Sequence, residues 1–387
     1  MEKKIKELLE KNTSNVIVKE DIKKKLASGK KLRIKLGVDP TSPDLHLGHA
    51  VVLRKIREFQ ELGHKIVFII GDFTAMIGDP SGRVSARPPL KKSEVEANMK
   101  GYLKQAGVII DLKKTEILYN SSWLKKLNGE KIFEILGLVS VNQLLEREDF
   151  NSRFKAHHSI RMHELLYPIM QAYDSAVIKA DIECGGTDQL FNLLMGRQLM
   201  ERLGMKPQDI LTVPLLEGLD GEKKMSKSFG NYIGLTDKPN EMFGKVMSLK
   251  DRMTEKYFRL LTSLTQVEIE KIMKLSALEA KERLAFEIVE IYHGPQKAKE
   301  ARNYFDMTFR KKRLPEVAES FSYRAGESLG GILKKAGYVS SNSDFRRLIR
   351  AGAIEANQEI VKDSNWTPEG EIKVRVGKKK FLKIIPK

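Results

Sequence analysis

Leu32-Arg33-Ile34-Lys35-Leu36-Gly37-Val38-Asp39-Pro40-Thr41-Ser42-Pro43-Asp44-Leu45-His46-Leu47-Gly48-His49 carries two signals side by side. In its first half Leu32, Ile34, Leu36 and Val38 alternate with other residues, as the buried face of a strand does. Its second half opens a helix at His46 that runs to about Leu62. Further along, Ile66 to Ile70 is a continuous apolar run, expected of a central strand covered on both faces. Ala176–Cys184 and Ile210–Leu216 read as two more strands, with a helix from Leu190 to about Leu203 closing at Gly204. Strand-like runs that alternate with amphipathic stretches up to Tyr232 indicate βαβ units and a parallel sheet, so the fold class is α/β.

Beyond that sheet the pattern changes twice. Between about Pro239 and Val317, Phe258, Leu261, Leu264, Ile269, Ile272 and Met273 recur at helical spacing, which predicts a helical domain. Ser328 to Lys387 predicts a small α+β module with two helices followed by strands at 371–376 and 381–384, joined through a linker at Ser320–Glu327. The expected domains are therefore 1–235, 236–325 and 326–387.

The chain has 387 residues, 41% of them hydrophobic and 31% charged, a composition that argues against disorder or a fibrous repeat. Its longest apolar run is far shorter than the ~20 residues of a membrane-spanning helix, so no membrane partner is expected. Residues 1–10 lack the marks of a signal or transit peptide and read as a short exposed amphipathic helix. The single cysteine, Cys184, excludes an internal disulfide framework and fits a reducing cytoplasm. With 69 Lys and Arg against 51 Asp and Glu, the net charge of +18 suggests a polyanionic partner or a Lys-rich solvated surface.

Two constellations carry chemistry. His46 and His49 share one face of a helix N-terminus, an end that favours anions, and Gly48 between them leaves room for a flat base near the backbone. Two histidines alone are more often a solvated or structural pair, and no third metal ligand stands at a persuasive spacing. Lys223-Lys224-Met225-Ser226-Lys227-Ser228 lies between Gly218, Gly221 and Gly230. Such a loop can close over a polyphosphate, although in isolation it is more often an exposed basic loop.

His-x-Gly-His at a helix start followed roughly 175 residues later by Lys-Met-Ser-Lys-Ser resembles the class I aminoacyl-tRNA synthetases. The resemblance implies a Rossmann-like catalytic domain that binds ATP between the two signatures, without a Gly-x-Gly-x-x-Gly fingerprint. Gly78-Asp79-Pro80-Ser81-Gly82-Arg83, Tyr167-Pro168-Ile169-Met170-Gln171-Ala172-Tyr173-Asp174 and Gly185-Gly186-Thr187-Asp188-Gln189 resemble the pocket motifs of the bacterial tyrosyl-tRNA synthetase family. The end of the chain, with Arg346, Arg347, Arg350 and Lys378, Lys379 and Lys380, is similar to that family's S4 RNA-binding module.

On this resemblance Asp174 faces the phenol of L-tyrosine, Asp79, Tyr167 and Gln171 surround its ammonium group, and Gln189 lies near its carboxylate. Tyr167, Gln171 and Asp174 fall on one helical stripe, which lets them line a single wall. Thr41, His46 and His49 would hold ATP phosphate from one side while Lys224, Lys227 and Arg83 close from the other. Gly37, Asp39, Gly48, Gly186, Asp188, Met225 and Ser226 complete the nucleotide site, with Asp188 near the ribose. Mg²⁺ should accompany ATP. The implied partner is tRNA(Tyr), and the implied assembly is a homodimer through the insertion at about 87–154. Lys35 departs from the family pattern, which has a phenol-contacting tyrosine there, and stays outside the candidate site; Arg83 stands where relatives often carry lysine. The rival readings are a tryptophanyl-tRNA synthetase and a non-catalytic RNA-binding paralogue.

Overall fold

The computed structural model describes residues 2–79, 90–310, 319–357, 359–377 and 380–387, in two compact units, Met1–Pro295 and Gln296–Lys387. Arg83, the 80–82 part of its motif, Lys378 and Lys379 lie outside the described residues.

The first unit holds a six-stranded sheet of β1 (Asn15–Ile17), β2 (Arg33–Val38), β3 (Lys65–Ile70), β4 (Thr115–Tyr119), β5 (Ile182–Gly186) and β6 (Asp209–Val213), in the order β1-β6-β5-β2-β3-β4. Neighbours are parallel except β1, which runs antiparallel to β6 at the edge. From Ile66 to Ile70 no side chain is more than 1% exposed, as the continuous apolar run predicts. Helices α1 (Glu2–Glu10), α2 (Leu47–Glu61), α3 (Met162–Ile178) and α4 (Leu190–Arg202) belong to this unit, together with α5 (Pro239–Met247), α6 (Thr254–Leu261), α7 (Gln266–Met273) and α8 (Ala277–His293).

Three local expectations need correction. The strand expected over Ala176–Cys184 begins only at Ile182, because α3 continues through Ile178 and turns back at Lys179, which adopts a left-handed conformation (φ 50°). Helix α1 is amphipathic but not an exposed appendage: Ile5, Leu8 and Leu9 are buried. The fully buried Lys55 ammonium donates to the Leu8 and Lys11 carbonyls at 2.9 and 2.7 Å and pairs with Glu58 at 2.6 Å, fastening the end of α1 to α2. Finally, the stretch read as a linker at 320–327 contains most of a strand.

That strand, β7 (Glu319–Tyr323), opens the sheet of the second unit with β8 (Ile354–Ala356), β9 (Glu359–Ile360), β10 (Ile372–Val376) and β11 (Lys380–Pro386), ordered β7-β11-β10-β8-β9. β7 lies parallel to β11, a pairing across some sixty residues that local pattern does not reveal. Helices α9 (Leu329–Lys335) and α10 (Asn342–Arg350) share a core with the sheet through Leu329, Leu333, Phe345, Ile349, Val374 and Ile384.

In the first unit β2 has β3 on one side and β5 on the other, so chain order reverses there, and such a reversal leaves a crevice at the carboxyl ends of the strands. Asp39 follows β2 and Gly71 follows β3. The Gly71 N–H donates to Val38 O at 3.0 Å, and the Thr74 hydroxyl donates to Asp39 Oδ1 at 2.7 Å. A β-carbon on Gly71 would sit 1.9 Å from Asp39 Oδ1 and 2.4 Å from Thr74 Oγ1. Gly71→Ala therefore must displace Asp39 or the strand end, and is expected to lower stability by about 1–3 kcal/mol in urea denaturation. A variant as stable as the parent would contradict this close approach.

Candidate active site

A cavity of about 370 Å³ opens at these strand ends. Every described residue expected to bind ATP or amino acid lines it: Gly37, Asp39, Thr41, His46, Gly48, His49, Asp79, Tyr167, Gln171, Asp174, Gly186, Asp188, Gln189, Lys224, Met225, Ser226 and Lys227. Arg346, Arg347 and Arg350 lie elsewhere, exposed on α10 in the second unit, and Lys380 is exposed at the start of β11. Arg347 is paired with Asp344 at 2.7 Å.

At one end of the cavity the two histidines cap α2. His46 Nδ1 accepts from the Gly48 N–H at 3.2 Å, and His49 Nδ1 accepts from the His46 N–H at 3.2 Å. Because Nδ1 is an acceptor in both rings, the hydrogen-bond network assigns the proton to Nε2, leaving that N–H as each ring's donor. Burial, then the adjacent His49 and after it Lys227 and Lys224, lowers His46 to about 2; burial, then Lys227, lowers His49 to about 4. Both rings are thus neutral donors at physiological pH. A β-carbon at Gly48 would lie 2.9 Å from the His46 ring, so this glycine serves the histidine cap itself.

The basic loop closes over the same end. Met225 is buried, its N–H donating to Leu216 O at 2.7 Å, and Asn231 gathers the loop by accepting from Ser226 N and donating to Asp220 and Lys224 O. Both lysines rest on carboxylates: Lys224 lies 2.7 Å from Asp188 and Lys227 3.0 Å from Asp44. Asp188, expected at the ribose, therefore holds a lysine in this structure.

Carboxylates dominate the opposite end. Asp39 Oδ2 accepts from the Tyr167 hydroxyl at 3.0 Å, and burial raises its carboxyl to about 7 against the lowering effect of the Thr74 bond, with Asp79 adding to the rise. Asp79 accepts from Gln189 Nε2 at 2.8 Å and faces Arg147 at 3.4 Å. Asp174 is 4% exposed, and accepts from Trp123 Nε1 at 2.7 Å and Asn120 Nδ2 at 3.2 Å. Burial raises it to about 6. Three carboxylates around one cavity make a site for a cationic group, while the histidine and lysine end suits an anion.

Several residues at this site escape a sequence reading. Asn120 and Trp123 hold Asp174 from fifty residues away without any periodic signal. Asp44 lies inside the opening stretch quoted above, but nothing in its spacing announces a partner for Lys227. Lys35 did leave a signal, a lysine in an alternating apolar strand, and it proves fully buried against Glu183 at 2.8 Å.

Residues 27–310 match the family described as tRNA synthetases class I (W and Y). The chain is 46% identical over 382 residues to the tyrosine–tRNA ligase of Aquifex aeolicus, covering 98% of this chain and 97% of that one. It is 45% identical over 385 residues to the tyrosine–tRNA ligase of Thermotoga maritima, covering 97% and 96%. Among solved structures, a C-terminally truncated mitochondrial tyrosyl-tRNA synthetase of Aspergillus nidulans shares the fold with a TM-score of 0.65 at 23% identity, over 80% of this chain and 94% of that one. The Archaeoglobus fulgidus tyrosyl-tRNA synthetase complexed with L-tyrosine does so with a TM-score of 0.63 at 22% identity, over 78% and 99%. This chain, with its paired histidines and basic loop closing one cavity, belongs to the tyrosine–tRNA ligase family of class I tRNA synthetases.

Proposed function

We propose that the protein activates L-tyrosine with ATP and transfers it to the 3′ end of tRNA(Tyr). One observation carries the reading: a single cavity has buried carboxylates at one end and neutral imidazole donors with two lysines at the other. That polarity suits an amino acid held by its ammonium and phenol whose carboxylate points toward a polyphosphate. Asp79, Tyr167 and Gln171 take the ammonium, Gln189 lies at the carboxylate and Asp174 accepts the phenol proton. Asp174 is what favours tyrosine over phenylalanine, since a buried carboxylate needs a hydrogen-bond donor placed at the ring's far end.

In the first step a tyrosine carboxylate oxygen attacks the α-phosphorus of ATP, forming the mixed anhydride as the bond to pyrophosphate breaks. Thr41 and the Nε2–H groups of His46 and His49 bind phosphate oxygens, and Lys224 and Lys227 leave Asp188 and Asp44 to meet the charge that develops on pyrophosphate. Arg83 is assigned to the same side by family pattern. Asp188, once released, accepts from the ATP ribose, and Gly37, Gly48, Gly186, Met225 and Ser226 shape the nucleotide site, with Asp39, bonded to Tyr167, at its border with the amino-acid end. In the second step a ribose hydroxyl of the terminal adenosine attacks the anhydride carbonyl and releases AMP. These transfers depend on positioning and on donors already aimed at developing charge. Mg²⁺ would accompany ATP and help neutralise its phosphate charge; among the described residues no group of three His, Cys, Asp or Glu forms a cage for it.

The remaining assignments follow the same reading. The domains are 1–235 with its insertion, the helical anticodon-side segment 236–325 and the S4-like module 326–387. The insertion supports a homodimer because it exposes Phe133, Val141 and Phe154, apolar surface of the kind an interface covers. No described helix is long and apolar enough to cross a membrane, and a reducing cytoplasm suits a protein with one buried cysteine. The exposed Arg346, Arg347, Arg350 and Lys380, with Lys378 and Lys379, bind tRNA phosphates.

Pyrophosphate exchange into ATP, run with each amino acid in turn, tests the activity: exchange with tyrosine alone is expected, tryptophan-only exchange would identify the other branch of the family, and no exchange would mean a non-catalytic RNA binder. In the same assay Lys227→Ala is expected to slow exchange by ~10²-fold with tyrosine affinity nearly unchanged. Equal losses in rate and tyrosine affinity would place Lys227 on the ground state instead. For the tail, Arg346→Ala with Arg350→Ala should leave exchange intact, weaken tRNA binding and flatten its salt dependence by about one unit of slope per arginine; an unchanged slope would remove α10 from the RNA surface.

A further inference from the structure

Lys35 stands where the family resemblance places a phenol-contacting tyrosine, and its surroundings indicate what a lysine does there instead. An ammonium group has three N–H donors. Three acceptors meet them: Gln171 O at 3.0 Å, Ser175 Oγ at 2.6 Å and Glu183 Oε1 at 2.8 Å. Glu183, itself only 1% exposed, also accepts from Ser175 at 3.1 Å and from Gln208 in the segment entering β6. The ammonium is saturated from within the protein, so none of its N–H groups remains for a substrate hydroxyl.

We propose that Lys35, paired with Glu183, is a positioning residue for the phenol: it does not touch tyrosine, but clamps the turn of α3 between Gln171 and Ser175 so that Asp174 presents an ionised acceptor. This rests on tyrosine being the substrate. The geometry supports it because Gln171 O and Ser175 Oγ, both held by Lys35, bracket Asp174 in the chain. Asp174 has its other contacts fixed by the Trp123 and Asn120 N–H groups. The charged groups acting on it are Lys35 from β2, Glu183 from β5 and Asp39 beyond the end of β2. Burial raises the Asp174 carboxyl to about 6, and Lys35 is the strongest influence in the opposite direction, with Glu183 adding to the rise.

Each member of the pair should therefore move Asp174 in its own direction. The readout is the tyrosine-to-phenylalanine ratio of kcat/KM in pyrophosphate exchange, followed from pH 5 to 8. The ratio isolates the hydroxyl, since the histidines act on both amino acids alike, and Asp39, which also acts on Asp174, is common to the parent and both variants. In the parent enzyme the ratio should fall roughly tenfold as pH drops through about 6, where the charged hydrogen bond becomes a neutral one. Lys35→Met should move that midpoint up by about one pH unit, and the near-isosteric Glu183→Gln should move it down by a similar amount.

A merely structural role would not shift the two variants in opposite directions. If Lys35→Met does not fold, a downward shift in Glu183→Gln alone supports the proposal. An unmoved midpoint in either folded variant overturns it. So does a ratio lowered equally at every pH in Lys35→Met beside a parent-like Glu183→Gln, which would make Lys35 a direct ligand. Absence of tyrosine exchange in the parent would remove the tyrosine reading itself, and the proposal with it.

Discussion

Lys35 lies in the middle of a parallel sheet among aliphatic neighbours, and a charged group there is tolerated only with a partner. Glu183 on the next strand supplies it, and the pair recruits Ser175, the Gln171 carbonyl and Gln208. The network thereby joins β2, β5, α3 and the approach to β6, the elements that also present Asp39, Gly186 and Asp174 to the cavity. Removing one member of such a pair costs about 3–5 kcal/mol, because the other charge is left buried alone. Replacing both with apolar residues can be nearly neutral, so stability is a weak reason for keeping the pair. A role in fixing α3 against the strand ends is the stronger one.

Desolvation also sets the character of the two cavity ends. It keeps His46 and His49 neutral, so they offer N–H donors without adding positive charge beside the lysines. It raises Asp39 and Asp174, so both titrate close to neutrality. Lys224 and Lys227 are paired with Asp188 and Asp44, which the proposed reaction would require them to leave. ATP binding on this account exchanges partners within the loop, with the pyrophosphate charge replacing Asp188 and Asp44. Rate enhancement then comes from placement of donors, not from a covalent intermediate.

The centre of the first unit was legible because β2 and β3 carry their burial in plain alternation or in an unbroken apolar run. The two signatures that meet at one cavity were legible because both are short and local. What failed was non-local. Ala176, Val177 and Ile178 look like the start of a strand, yet they finish α3, which ends on a left-handed lysine where glycine would have marked the stop. β7 resembles a serine-bearing linker until β11 returns to pair with it. Lys55 shows nothing in sequence of the carbonyls it holds at the end of α1 and just past it. Asn120 and Trp123 reach Asp174 only through the packing of the insertion against α3, and the saturation of Lys35 depends on three elements meeting.

The orientation of tyrosine in the cavity is the claim on which the site assignments depend. A crystal structure of the protein with bound tyrosine tests it most directly. The account predicts the phenol oxygen within hydrogen-bonding distance of Asp174, the ammonium between Asp79, Tyr167 and Gln171, and Lys35 still bound to Glu183 and out of contact with the ligand. A phenol hydrogen-bonded to the Lys35 ammonium, or a ligand turned end for end with its ammonium at Asp174, would contradict it.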